Sequence, residues 1–161
     1  MRSNHEELIL RNPAFGACAL WQVARSFTDK RSGQSPSPSL LHFAISTAML
    51  FHEATVTKIY RMNLESGLLK AVVEEPELVA GLQRRLEKSF PTCLLALQLA
   101  VSAEIMTRSS GSGLPAFSAV GSTLPAGIRH STPTNAAAKR LGNWLAMEDL
   151  EIVRARLGIR F

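Results

Sequence analysis

Apolar residues recur along much of this chain at intervals of three and four, the spacing of a helix with one face turned inward. In residues 12–28 the series is Phe15, Ala19, Leu20, Val23, Ala24 and Phe27. Asn12-Pro13 stands in front of it. The amide can cap free N–H groups, and proline at the first helical position loses no bond the helix needs. Ala14, Gly16, Ala17 and Cys18 are small, so another backbone can approach this helix closely. Residues 29–39 carry Gly33, Pro36, Pro38 and serines, which predicts a flexible loop. Ser39 then caps a helix over 40–51 that is apolar nearly all round and must be buried on most sides. A continuing helix is predicted over 52–62 with Val56, Ile59 and Tyr60 inward. A short one over 65–73 stops before Pro76.

The second half repeats the pattern with different punctuation. Over 77–89, Leu78, Val79, Leu82 and Leu86 face in, while Gln83, Arg84, Glu87 and Lys88 face out. Pro91 reads as the start of a further helix reaching Met106, apolar except for a stripe of Gln98 and Ser102. The run Ser109 to Gly113 predicts a turn, and 114–120 with 123–129 predict a two-stranded hairpin, so turn and hairpin occupy 109–130. Thr132 is the expected N-cap of a helix over 133–146. A last helix over 147–157 opens with Glu148-Asp149 at its positive end and closes on Gly158. Ile159-Arg160-Phe161 would form a terminal strand or plug. The expected fold is mainly α: a single helical domain over 1–161 with a small β-hairpin, winged-helix-like in outline because 77–130 runs helix, helix, hairpin.

Composition narrows the classes. The 161 residues are 46% hydrophobic and 19% charged, enough for one core without disulfides or metals. So few charges leave room for a surface covered by a partner. Cys18 and Cys93 form no CxxC pair and read as two buried thiols. Met1 to Glu7 is polar, and Leu8-Ile9-Leu10 is far shorter than a secretory apolar region. The longest apolar stretch, Leu40 to Phe51, is broken by His42, Ser46 and Thr47 and is too short to span a bilayer. A cytoplasmic protein with no membrane partner is expected.

Candidate chemistry is sparse. The two Asp and eleven Glu are scattered, and His5, His42, His52 and His130 make no acid–base or metal constellation. The Ser-Gly run lacks the lysine of a phosphate-binding loop. The expectation is a non-enzyme with no cofactor and no metal. The net charge of +5 allows contact with nucleic acid. A DNA-reading helix must show polar side chains to base edges. The candidate, 91–106, shows only Thr92, Gln98, Ser102 and Glu104, and lying in a groove would expose Leu94, Leu97 or Val101. That helix is therefore expected to pack against protein, while Arg84 and Arg85 could touch phosphates without reading sequence. Trp21 and Trp144 read first as core anchors and second as interface residues.

Two segments carry a family resemblance. Asn12-Pro13-Ala14-Phe15-Gly16-Ala17 followed by Leu20-Trp21 resembles the opening signature of the middle component of bacterial three-component ABC systems. Leu141-Gly142-Asn143-Trp144-Leu145-Ala146, through Leu157-Gly158-Ile159-Arg160-Phe161, is similar to the family's closing pattern. Departures stand at Val23 and Leu145, where the family often has aromatic residues, and at Phe27, near which it has tyrosine. The resemblance marks Asn12, Pro13, Phe15, Gly16, Trp21, Leu141, Gly142, Trp144, Arg160 and Phe161 as motif or interface residues. It implies two partner subunits: an SMC-like ABC ATPase and an effector, commonly a nuclease. Such sets, Lamassu-type systems among them, defend bacteria against phages or plasmids. The middle component would be an adaptor between the two, meeting DNA indirectly through the complex. The alternative function is a winged-helix DNA-binding regulator.

Overall fold

In the computed structural model the described residues are 12–34, 36–111, 113–124 and 132–161. Helix α1 (Pro13–Lys30) begins as the Asn-Pro pair dictates: Asn12 Oδ1 accepts from the N–H groups of Ala14 (3.1 Å) and Phe15 (3.4 Å). Then follow α2 (Leu40–Leu50), α3 (Glu53–Arg61), α4 (Leu68–Glu74), α5 (Leu82–Ser102), β1 (Met106–Ser109), β2 (Ala116–Ala119), α6 (Thr132–Ala146) and α7 (Leu150–Leu157). Single 3-10 turns at Leu64–Ser66 and Pro76–Leu78 flank α4. The described residues are thus mainly helical with one small antiparallel hairpin, and one hydrophobic cluster draws on every helix and both strands.

Small residues set how the layers meet. α6 lies along α1 with Gly142 against its backbone. A Cβ there would collide with the Val23 carbonyl oxygen and stand 2.9 Å from Ser26 Cβ and 3.1 Å from Phe27 N. Near the start of α1, Gly16 receives α5: a Cβ would lie 3.3 Å from Ala96 Cβ and 3.5 Å from the Phe51 ring. α2 is buried almost all round, as its composition requires.

The sharpest departure from the sequence pattern is α5. The two helices expected over 77–89 and 91–106 are one, opened by Gly81 at φ 66° and carrying Pro91 inside it. Proline there forfeits one backbone bond, but Pro91 is exposed. The inward series Leu82, Leu86, Ser89, Cys93, Ala96, Leu97 and Ala100 keeps one phase through it, so burial holds the helix together. The helix-turn-helix of the winged-helix outline is therefore not formed. After Ser102 the chain turns at Glu104 (φ 60°) straight into β1, and buried Ile105 and Met106 anchor the strand.

The hairpin is real but differently paired. β2 lies within the expected 114–120, but its partner is β1, upstream, with Met106 opposite Ala119 and Arg108 opposite Phe117. Of the expected second strand, 123 and 124 are not in a strand and 125–129 lie outside the described residues. The other edge of β2 is bonded too. Phe117 N–H donates to Pro38 O (3.0 Å) and Leu40 N–H to Pro115 O (2.9 Å). The end of the 29–39 loop is thus tied down, and the loop itself is shortened because α1 runs to Lys30.

Smaller corrections follow the same logic. Tyr60, expected inward, is 41% exposed, while Val56 and Ile59 are buried. Thr132 is the first residue of α6, not its cap. α7 starts later than expected, with Asp149 accepting from Glu151 N–H (2.9 Å), and Gly158 in the left-handed region ends it. Ile159 is the buried plug, and 159–161 form no strand.

His42 caps its own helix. Its Nδ1 accepts from Ser39 N–H (2.9 Å) and lies 3.0 Å from Ser39 Oγ, while the ring meets Phe27 edge-on. Burial, and then the charge of Arg31, push its pKa from 6.5 down to about 4. The folded state holds the ring neutral, whereas the unfolded chain takes a proton near pH 6.5. His42 therefore stabilises fully above pH 6.5, and that stability is lost as pH falls toward 4. The loss should be roughly 3 kcal/mol. His42→Gln keeps an acceptor at this capping position and removes the titration. Urea melts at pH 7 and pH 4 should show a markedly smaller loss in the variant than in the wild type.

Candidate interaction surface

The residues singled out in the sequence fall mostly inside the molecule. Asn12 and Pro13 start α1, Phe15 packs half-buried on the core, and Gly16 admits α5. Trp21 is buried, its Nε1–H donating to Val120 O (3.2 Å). Leu141 and Trp144 are fully buried, and Trp144 Nε1–H donates to Leu64 O (2.8 Å). Gly142 of the closing motif packs on α1 against Val23 and Phe27, beyond the opening motif on the same helix, as packing and not as a shared surface. Arg160 and Phe161 are exposed, and the Gln83 amide holds both the N–H (2.9 Å) and the carbonyl (3.0 Å) of Arg160. Arg84 is also exposed. Arg85 instead turns inward, donating to Thr55 Oγ1 (2.8 Å), Leu78 O (2.9 Å) and Ala80 O (3.3 Å). The structure does not bring the two arginines to one surface.

What stays open is the outer side of α5. Its inner residues are spent on α1 and α2, but Leu94, Leu95 and Leu99 are 44%, 50% and 37% exposed. Of the three residues that argued for protein packing, Leu97 belongs to the chain's own core, Val101 is half-buried and Leu94 is open. Leu95 and Leu99 were missed. Carrying the helical phase of 77–89 through Pro91 would have put both on the outside.

Beside Leu94 runs a groove of about 510 Å³. α5 supplies Leu94, Leu97, Gln98, Val101 and Ser102, the hairpin supplies Arg108, Pro115 and Phe117, and α2 supplies Leu40. Phe117 forms part of its floor, braced edge-on by Phe43 with ring centres 5.6 Å apart. A second, larger hollow of about 1070 Å³ opens beside α3, with His52, Lys58, Arg61, Glu74 and Glu75 among its lining. Its central cation, Lys58, is held by carboxylates. Lys58 bridges Glu75 and Glu77 at 2.7 Å each, which raises the Lys58 pKa and lowers that of Glu77. Cys18 and Cys93 are buried free thiols. Burial raises both pKa values, that of Cys93 to about 11, so neither is poised as a thiolate. Among the described residues no three His, Cys, Asp or Glu gather closely enough to hold a metal ion, and no helix is long and apolar enough to cross a membrane.

A family model now decides the grouping that the two motifs suggested: that of the ABC-three component (ABC-3C) system Middle Component 3 matches residues 2–161. The chain belongs to this family. No curated protein and no solved structure matches it. As a middle component, it is one part of a multi-component system. Its motif residues join α1 to α5 and α6. Outside that packing lie the exposed motif residues Arg160 and Phe161 and, on α5, the leucine face.

Two substitutions test that division. Gly142→Ala places a methyl against the α1 backbone and should cost about 2 kcal/mol or more, since a rigid carbonyl cannot give way as a side chain would. Trp144→Phe keeps most of the ring but leaves Leu64 O without its donor, at about 1–3 kcal/mol. Chemical denaturation of each variant measures both losses. An unchanged midpoint would show that the motif serves something other than packing.

Proposed function

We propose that this middle component is a non-catalytic adaptor, bridging an SMC-like ABC ATPase and an effector, commonly a nuclease, in a bacterial complex that acts against phages or plasmids. Lamassu-type systems are the subtype its motifs resemble. In this reading the ATPase senses foreign DNA and licenses the effector, and the adaptor meets DNA only through the complex, in the cytoplasm. Family membership supports the multi-component setting. The single observation that carries the docking role is the row Leu94, Leu95 and Leu99, left open on a helix whose other side is fully used. Exposed leucines on consecutive turns of one long helix are what an apolar partner surface fits. The regulator reading has no comparable support, because the helix-turn-helix it needs is a single continuous α5.

The test is co-expression of the tagged chain with the ATPase and effector of its own system. Wild type should recover both. The double variant Leu95→Glu, Leu99→Glu should lose at least one of them while keeping its melting temperature, because both side chains already face water. Recovery of the wild-type chain by itself would sink the adaptor reading.

A further inference from the structure

We propose that the groove between α5 and the hairpin receives an amphipathic, acidic helix from the ATPase or the effector. Its apolar side chains would lie on Leu94, Val101 and Phe117, and a carboxylate would meet Arg108. This rests on the adaptor reading and names the chemistry of the partner at that surface.

Shape points to a helix. The α5 wall of the groove is Leu94, Leu97, Gln98, Val101 and Ser102, a ridge of i, i+3, i+4 steps over about two turns, or roughly 12 Å. A second helix laid beside such a ridge meets it with its own side chains at the same steps. Charge points to an acidic one. Among the described residues Arg108 is the one charged side chain in the lining, and no carboxylate accompanies it. Arg108 is exposed and forms no ion pair with another described residue. Its backbone position is set by the hairpin register opposite Phe117, so the side chain starts from the edge of an apolar floor that includes buried Phe117. Gln98 and Ser102, both exposed, add hydrogen-bonding groups along the rim. A second copy of this chain fits worse. A two-fold contact through the groove would set Arg108 against the same basic groove, and the whole chain carries +5.

The experiment measures affinity of the full-length chain for the purified ATPase component and the purified effector component, one at a time. The chains compared are wild type, Leu94→Glu, Arg108→Glu and Arg108→Lys. All four should share one melting temperature, because both sites are at the surface. Wild type should bind one component. Leu94→Glu should abolish that binding, Arg108→Glu should weaken it about tenfold or more, and Arg108→Lys should retain most of it. Changing one Asp or Glu of the partner helix to Lys should rescue Arg108→Glu. If wild type binds but Leu94→Glu and Arg108→Glu bind equally well, the groove assignment falls and the adaptor reading stands. Tighter binding by Arg108→Glu would mean a basic partner and overturn the assignment. So would a concentration-dependent dimer of the wild-type chain that Leu94→Glu dissolves. Wild type binding neither component would remove the adaptor reading itself.

Discussion

The close approach of Gly142 in α6 to the Val23 carbonyl of α1 governs most of what surrounds it. Without a side chain at 142, two backbones touch where two side chains would ordinarily intervene. That brings Trp144 to a depth at which its indole N–H reaches Leu64 O (2.8 Å) and ties α6 to the turn before α4. α1 is held at its other end by the Gly16–Ala96 contact with α5. With α1 fixed between α5 and α6, the inner side of α5 has no freedom left, and its leucine side is turned to solvent by geometry.

Much of the helical framework could be read from the chain, because its signals are local. Asn12-Pro13 announces α1, and Gly158 announces the end of α7. The features that could not be read depend on distant contacts. Pro91 looks like a helix start from its neighbours; only the core beneath Ser89, Cys93 and Ala96 keeps the helix going. Met106 looks helical, and becomes a strand because Ala119 is opposite it. The candidate surface fared likewise. Trp21, Gly142 and Trp144 attract notice as a motif, and their role is internal. Leu95 and Leu99 look like ordinary core leucines until α5 is continuous.

The basic charge also changes meaning once the side chains are placed. Arg31 donates to Ala146 O (3.1 Å) and Pro36 O (3.3 Å), and its guanidinium stacks 4.4 Å from the Phe27 ring centre. Arg85 clasps the turn before α5, and Arg140 donates to Met62 O (2.8 Å) and Ala136 O (3.2 Å). These three guanidinium groups serve as multi-pronged donors to backbone carbonyls, work for which their planar fork is suited. A positive total charge in such a chain is in part a structural tool, which weakens any argument from charge alone to a polyanionic ligand.

The order in which the elements are made has its own consequence. α1 leaves the ribosome before the helices that cover it, and its bonds reach far along the sequence: Trp21 waits for Val120, 99 residues later, and Arg31 for Ala146, 115 residues later. At about 5–20 residues per second these two bonds stay unmade for roughly 5–20 seconds after α1 is synthesised, and the side of α1 that α6 covers stays open as long. Contacts so distant in sequence also slow folding itself. A nascent chain of this kind is exposed to aggregation for most of its synthesis, so holding factors at the ribosome and the pace of translation would set how much of the protein reaches its folded form.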